Sequence, residues 1–154
     1  MNKTIFIAEA GVNHNGKLSI AKKLVDIAKK AKADFVKFQI YKTENLVTKK
    51  SPLAEYQKKN IGKNTSQYSM LKSLELSVEQ HSYLINYCKK KKINYLASVF
   101  DLESLIFLRK KSSSIKIPSG EITNFQLLRN IKKKNFSKIF LSTGASKLIE
   151  IQKA

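Results

Sequence analysis

Two lysines sit inside apolar runs that read as strands, and each raises a chemical question. Asp34 to Gln39 reads DFVKFQ, with Lys37 between Val36 and Phe38; Ile115 to Glu121 reads IKIPSGE, with Lys116 between Ile115 and Ile117. An ammonium buried in a sheet carries a heavy desolvation cost unless it meets an anion, so both are candidate anion ligands. The alternative for Lys37 is an edge position from which the long side chain reaches water. After Lys116, Ser119 and Gly120 offer hydroxyl and backbone donors that can come close to a phosphate, and Glu121 adds a carboxylate. A cation, a hydroxyl and a carboxylate this close suit a site that holds an anionic substrate and moves protons. Its alternative is a Ser-Gly turn with a solvated glutamate. Glu9 ends the first apolar run and precedes a polar turn with Gly11, Asn13, His14, Asn15 and Gly16. Glu9 is a candidate site carboxylate, His14 a candidate ligand or general base, and Asn15 a turn residue. His81 and Cys88 fall in a helical segment, and both read as structural; Cys88 shares a stripe with Leu84 and Ile85 and reads as a small buried apolar residue. No His/Cys/Asp spacing completes a metal site, and no Ser-His-Asp set is visible.

The elements that must position these residues alternate. Strands are expected at 4–9, 34–40, 93–100, 114–118 and 138–142. Helices are expected at 17–32, 77–92, 101–111, 123–134 and from Ser146 onward. The first helix shows an apolar stripe of Leu18, Ala21, Leu24, Val25, Ala28 and Ala31. Ser77 and Gln80 have capping-box spacing, and Asp101 is a candidate N-cap. About five strand–helix alternations imply a parallel sheet with helical crossovers. An open doubly wound sheet is the other candidate, but no G-x-G-x-x-G follows the first strand, so a dinucleotide-binding fold lacks its usual mark. Instead, polar residues cluster at strand C-terminal ends: Glu9; Lys37 and Gln39; Ser98; Lys116, Ser119 and Glu121; Ser142 and Thr143. A (β/α)8 barrel collects its chemistry at that rim, but it needs eight units and typically about 250 residues. The expected fold class is therefore α/β, of (β/α)8 TIM-barrel type, incomplete, with about five units in 154 residues. Between Tyr41 and Leu76 lies a long connection of weak periodicity, with a turn or two of helix expected at 54–59.

The net charge of +19 invites a nucleic-acid reading. The positive charge is almost all lysine, the only arginines being Arg109 and Arg129, and it is spread over helix faces and last turns. No aromatic residues interleave with arginine as a stacking platform requires, so no specific nucleic-acid partner is expected. No long uncharged apolar run suggests a membrane span, and the short N-terminal run meets Glu9 too soon for a secretory signal. The single cysteine cannot form an internal disulfide. A cytoplasmic protein is expected.

The blocks FIAEAGVNHNG, DFVKFQIYKTENLV, AEYQKKN, IKIPSGEITN and FLSTG, in order and at close spacing, resemble the N-terminal half of the sialic acid synthase family. That family includes N-acetylneuraminate, legionaminate and pseudaminate synthases. The resemblance implies a TIM barrel followed by a small antifreeze-like domain. It implies a transferase that joins phosphoenolpyruvate to the open-chain aldehyde of an N-acylated amino sugar, releases phosphate and forms a sialic-acid-type 2-keto sugar acid. A divalent metal, usually manganese, polarises the aldehyde in that family. Carried over by motif, Lys37 and Lys116 hold the phosphoenolpyruvate anion, with Ser98 and Ser119 as hydroxyl donors. Glu9 and Glu121 orient the sugar and water and move protons, with Gln39 beside them. One departure is Ala97-Ser98-Val99-Phe100, where many relatives carry S-T-P-F. The family's metal-binding histidines, a later substrate-contacting segment and the antifreeze-like domain of its homodimer are expected beyond residue 154. The chain is thus expected to be a partial barrel over 1–154, inactive alone. Alternatives are a half-barrel completed by a separately encoded fragment, another phosphoenolpyruvate-condensing synthase or aldolase, and a non-catalytic basic binding module.

Overall fold

A computed structural model describes residues 4–53, 65–131 and 135–154. The helix expected at 54–59 and the end of the one expected at 123–134 lie outside these residues. The described chain forms β1 (Ile7–Gly11), α1 (Leu18–Lys30), β2 (Phe35–Ile40), α2 (Thr43–Leu46), α3 (Gln67–Leu74), α4 (Val78–Lys91), β3 (Asn94–Val99), α5 (Leu102–Arg109), β4 (Ser114–Ile117), α6 (Phe125–Arg129), β5 (Lys138–Leu141) and α7 (Leu148–Lys153). A single 3-10 turn, Ser119–Glu121, follows β4.

The five strands pair in parallel in sequence order, β1-β2-β3-β4-β5. An open doubly wound sheet reverses its strand order at a switch point. This sheet never reverses, and it curls. The rings of Phe35 on β2 and Phe140 on β5 meet edge-on at 5.8 Å between centroids. Three inter-strand steps span about 14 Å in a flat sheet, so this contact requires strong curvature. The fold is α/β of TIM-barrel type, present as five strands.

Helices cover the convex face. Val36, Phe38, Ile40, Tyr95, Ala97, Val99 and Ile115 form one core with Ala21, Val25 and Ala28 of α1, Leu84, Ile85 and Cys88 of α4, Leu105 and Leu108 of α5 and Leu127 of α6. Capping fixes where the helices begin. Ser77 and Gln80 form the expected capping box, and the Asp101 carboxylate accepts the Ser104 N–H at 2.8 Å. Asp101 also accepts the Lys42 N–H at 2.9 Å, joining the end of β2 to the start of α5. Cys88 is buried, and burial pushes its thiol up to about 12, as its stripe implied.

The two ends of the connection from Tyr41 to Leu76 are clasped to each other. Glu75 accepts both the N–H and the Oγ1–H of Thr43, at 2.9 and 2.6 Å. Lys72 bridges Glu44 and Glu75, and the Tyr41 hydroxyl donates to the Leu71 carbonyl. At Gly16, φ is +69°, and an added Cβ would lie 2.3 Å from the Ser73 carbonyl oxygen. Glycine is required there for both reasons. Among the described residues, no helix is long and apolar enough to cross a membrane.

Candidate active site

Side chains paired in register on parallel strands point to the same face of the sheet. Glu9 pairs with Lys37, Gln39 with Ser98, and Ser98 with Lys116. The convex face belongs to the alternate residues, so Glu9, Lys37, Gln39, Ser98 and Lys116 share the concave face. Every one of these was singled out by its place in the sequence.

Lys37 is the centre of the cluster. It is 4% exposed, which rules out the edge position. Its Nζ lies 2.6 Å from the Glu9 carboxylate and donates to Ser98 Oγ at 3.4 Å. Burial pulls the Lys37 ammonium below the usual lysine range; Glu9 opposes this, and the neighbouring Lys116 ammonium adds to it. Two neighbouring lysines, only one of which has a carboxylate paired with it, leave an excess of positive charge in a concavity. The Glu9 side chain is 53% exposed, so it is not spent on sealing the ion pair and can meet a ligand from solvent.

The backbone after Glu9 is shaped for that role. A bulge lies between Glu9 and Gly11 in the pairing with β2. Gly11 has φ +53°, and a Cβ there would come 3.1 Å from Glu9 Oε1. A side chain would be strained and would press on the carboxylate.

Ser119 and Glu121 are half-buried in the 3-10 turn beyond β4. Among the described residues, no hydrogen bond or ion pair joins either to the lysine cluster. Glu121 instead accepts a 2.7 Å hydrogen bond from Asn124 Nδ2. The Ser146 hydroxyl donates to the Ser119 carbonyl at 3.2 Å, tying the segment after β5 to this turn. The structure therefore brings Glu9, Lys37, Ser98 and Lys116 together, ranges Gln39 alongside, and sets Ser119 and Glu121 on the next turn of the rim.

His14 does not fit the candidate role of ligand or general base. It is 1% exposed and lies under the β1–α1 turn, 6.1 Å from the Phe38 ring, among convex-face residues. Its Nδ1 accepts the Gly16 N–H at 3.1 Å, its Nε2 has no partner, and burial lowers its basicity. A polar turn made it look available, but the glycines fold that turn back over it. His81 is structural, as expected: its Nδ1 and the Tyr95 hydroxyl share a 2.8 Å hydrogen bond, and burial brings it down to about 3. Among the described residues, no three His, Cys, Asp or Glu side chains converge as a metal site requires.

Asn124 was not singled out from the sequence. Its spacing to Leu127, an N-cap followed by the residue whose N–H it accepts at 3.0 Å, was the available signal.

A family model described as the NeuB family matches residues 24–154. An N,N'-diacetyllegionaminic acid synthase of Campylobacter jejuni is 50% identical over 100% of this chain and 46% of its own length. One of Legionella pneumophila is 46% identical over 96% of this chain and 42% of its own length. The crystal structure of an N-acetylneuraminic acid synthetase from Leptospira borgpetersenii, in complex with citrate, superposes with a TM-score of 0.81 at 29% identity. It covers 99% of this chain and 48% of that one. The chain thus spans less than half the length of these relatives.

Proposed function

The chain belongs to the NeuB family, and on that premise we propose that it supplies the phosphoenolpyruvate-holding half of a synthase that makes sialic-acid-type sugar acids. The observation that carries this reading is the buried Lys37, with Glu9 at 2.6 Å, Ser98 at 3.4 Å and Lys116 beside it on one concave face.

In the proposed reaction the two ammonium groups hold the phosphate and carboxylate of phosphoenolpyruvate. Ser98 and Ser119 add hydroxyl donors. The enol carbon forms a bond to the aldehyde carbon of an N-acylated amino sugar, whose oxygen takes a proton. Water adds at the carbon that bears the phosphate oxygen, that carbon–oxygen bond breaks to release phosphate, and the added oxygen loses both its protons to become the keto oxygen. Glu9 and Glu121 are the bases within reach of this rim, and Gln39 is a neutral donor and acceptor beside Ser98. Positive groups fixed in advance around the substrate's negative charge need no reorganisation during the reaction.

The described residues do not by themselves fit the divalent cation that the family resemblance implies. Its ligands would come from a longer protein or a second chain. Turnover is proposed to need such a complement as well. Ile5, Phe6 and Ile7 at one edge and Ile139 and Leu141 at the other are exposed, where further strands would cover them in a closed barrel. A homodimer and a cytoplasmic setting belong to the same proposal.

The test is phosphate release from phosphoenolpyruvate with manganese and N-acylated mannosamine derivatives. It is run on the chain alone and with a fragment matching the remaining length of the relatives. Release that depends on the amino sugar supports the reading. Release without it, or none in either arrangement, contradicts it.

A further inference from the structure

Glu121 carries much of the proposed proton movement, yet its carboxylate touches none of the lysines. What fixes it is the next residue with an amide side chain. Asn124 Nδ2 donates to Glu121 Oε2 at 2.7 Å. Asn124 Oδ1 accepts the backbone N–H of Leu127 at 3.0 Å, the first turn of α6. The second bond decides the first. With Oδ1 committed to a backbone donor, the amide can turn only its NH2 toward Glu121, so the contact is donor to acceptor and not two oxygens in opposition.

The support beneath Asn124 is buried and hydrogen-bonded. Leu127 and Ile122 are each 1% exposed, and the Asn124 N–H donates to the Glu121 carbonyl at 3.0 Å. The 3-10 turn is closed by the Glu121 N–H on the Pro118 carbonyl, also at 3.0 Å. One carboxylate oxygen is therefore anchored to a buried scaffold.

We infer that Asn124 is a positioning residue: it sets the direction of the Glu121 carboxylate for the condensation. The inference rests on the functional reading given above and deepens it. Two substitutions separate positioning from capping. Asn124→Ser keeps an oxygen for the Leu127 N–H, since serine is a good N-cap, but its side chain lacks the amide that holds Glu121. Asn124→Asp also keeps the cap but sets a carboxylate against a carboxylate.

The experiment has two arms. In the first, side-chain amide resonances of Asn124 are followed by NMR in the parent chain and in Glu121→Ala. The expected result is a shift of the Asn124 Nδ2 pair, while the Leu127 backbone amide stays in place. An unmoved Asn124 pair overturns the inference whatever the activity. In the second, phosphate release is measured for the parent and both variants under the conditions that support turnover. The expected result is a fall in kcat of about a hundredfold in Asn124→Ser, and a larger fall in Asn124→Asp, with KM for phosphoenolpyruvate unchanged. Unfolding midpoints of both variants are expected near the parent's. A parent that never releases phosphate counts against the functional reading, and the NMR arm then decides the inference alone. Unchanged kcat in Asn124→Ser, or a loss that tracks a collapsed unfolding midpoint, overturns it.

Discussion

Replacing Lys37 with methionine should separate function from stability. Lys37 is 4% exposed, so its ammonium has lost nearly all its water. In return it has one carboxylate at 2.6 Å and one hydroxyl at 3.4 Å, with Lys116 opposing it. Buried ion pairs replaced by apolar side chains of similar size are often neutral or stabilising, by about 1–4 kcal/mol. The partner left behind here is Glu9, whose side chain is 53% exposed and stays solvated. The usual cost of stranding a buried charge is therefore largely absent. Lys37→Met is expected to unfold in urea at the parent's concentration or above it. Binding of phosphoenolpyruvate should suffer, because a hydrogen bond to a charged group contributes roughly 1.5–3 kcal/mol, and each 1.4 kcal/mol is about tenfold in affinity. A loss of roughly ten- to a hundredfold by calorimetry follows. If Lys37→Met loses more than about 3 kcal/mol of stability while binding is unchanged, Lys37 is a structural ion pair and the reasoning fails.

Gly16→Ala places a Cβ 2.3 Å from the Ser73 carbonyl at φ +69° and should cost about 2 kcal/mol or more in thermal unfolding. Gly120→Ala, with nothing within 4 Å of its added Cβ, is the matched control and should change little. Asp101→Ala removes the acceptor for the Lys42 and Ser104 N–H groups and the Ser104 hydroxyl; a loss of about 2 kcal/mol by urea denaturation is expected. His81 sits at about 3 in the folded chain against 6.5 for an ordinary histidine. Between these values the unfolded chain binds a proton that the folded chain does not. Stability should therefore fall as pH drops from about 6.5 toward 3, by up to about 1.4 kcal/mol per pH unit for this group. Equilibrium unfolding in buffers across that range checks the slope, which His81→Gln should reduce.

The sequence exposed the barrel strands and the lysine cluster for one physical reason. A charged residue inside an apolar run has few places to go, so Lys37 and Lys116 announced a concave face as well as a ligand. The same patterning located α1 and the capped start of α4. What stayed hidden depends on contacts between distant segments. Nothing local in His14 shows that Gly11 and Gly16 fold its turn back over it. Nothing local in Phe35 shows that it meets Phe140 across a curled sheet. The clasp of Thr43, Lys72 and Glu75 joins two short helices with weak periodicity, so the region read as one long connection. Asn124 ends the segment IKIPSGEITN, but its amide matters only once a three-residue turn brings Glu121 over it.

The most direct test of the central claim is a calorimetric titration of phosphoenolpyruvate into this chain and into Lys116→Met, at matched ionic strength. One site per chain is expected in the parent, with an affinity lower by about tenfold or more once Lys116 is gone. Equal binding by the two proteins, or binding that disappears in both at moderate salt, would show that the charge is diffuse and that the concave lysine cluster is not the site.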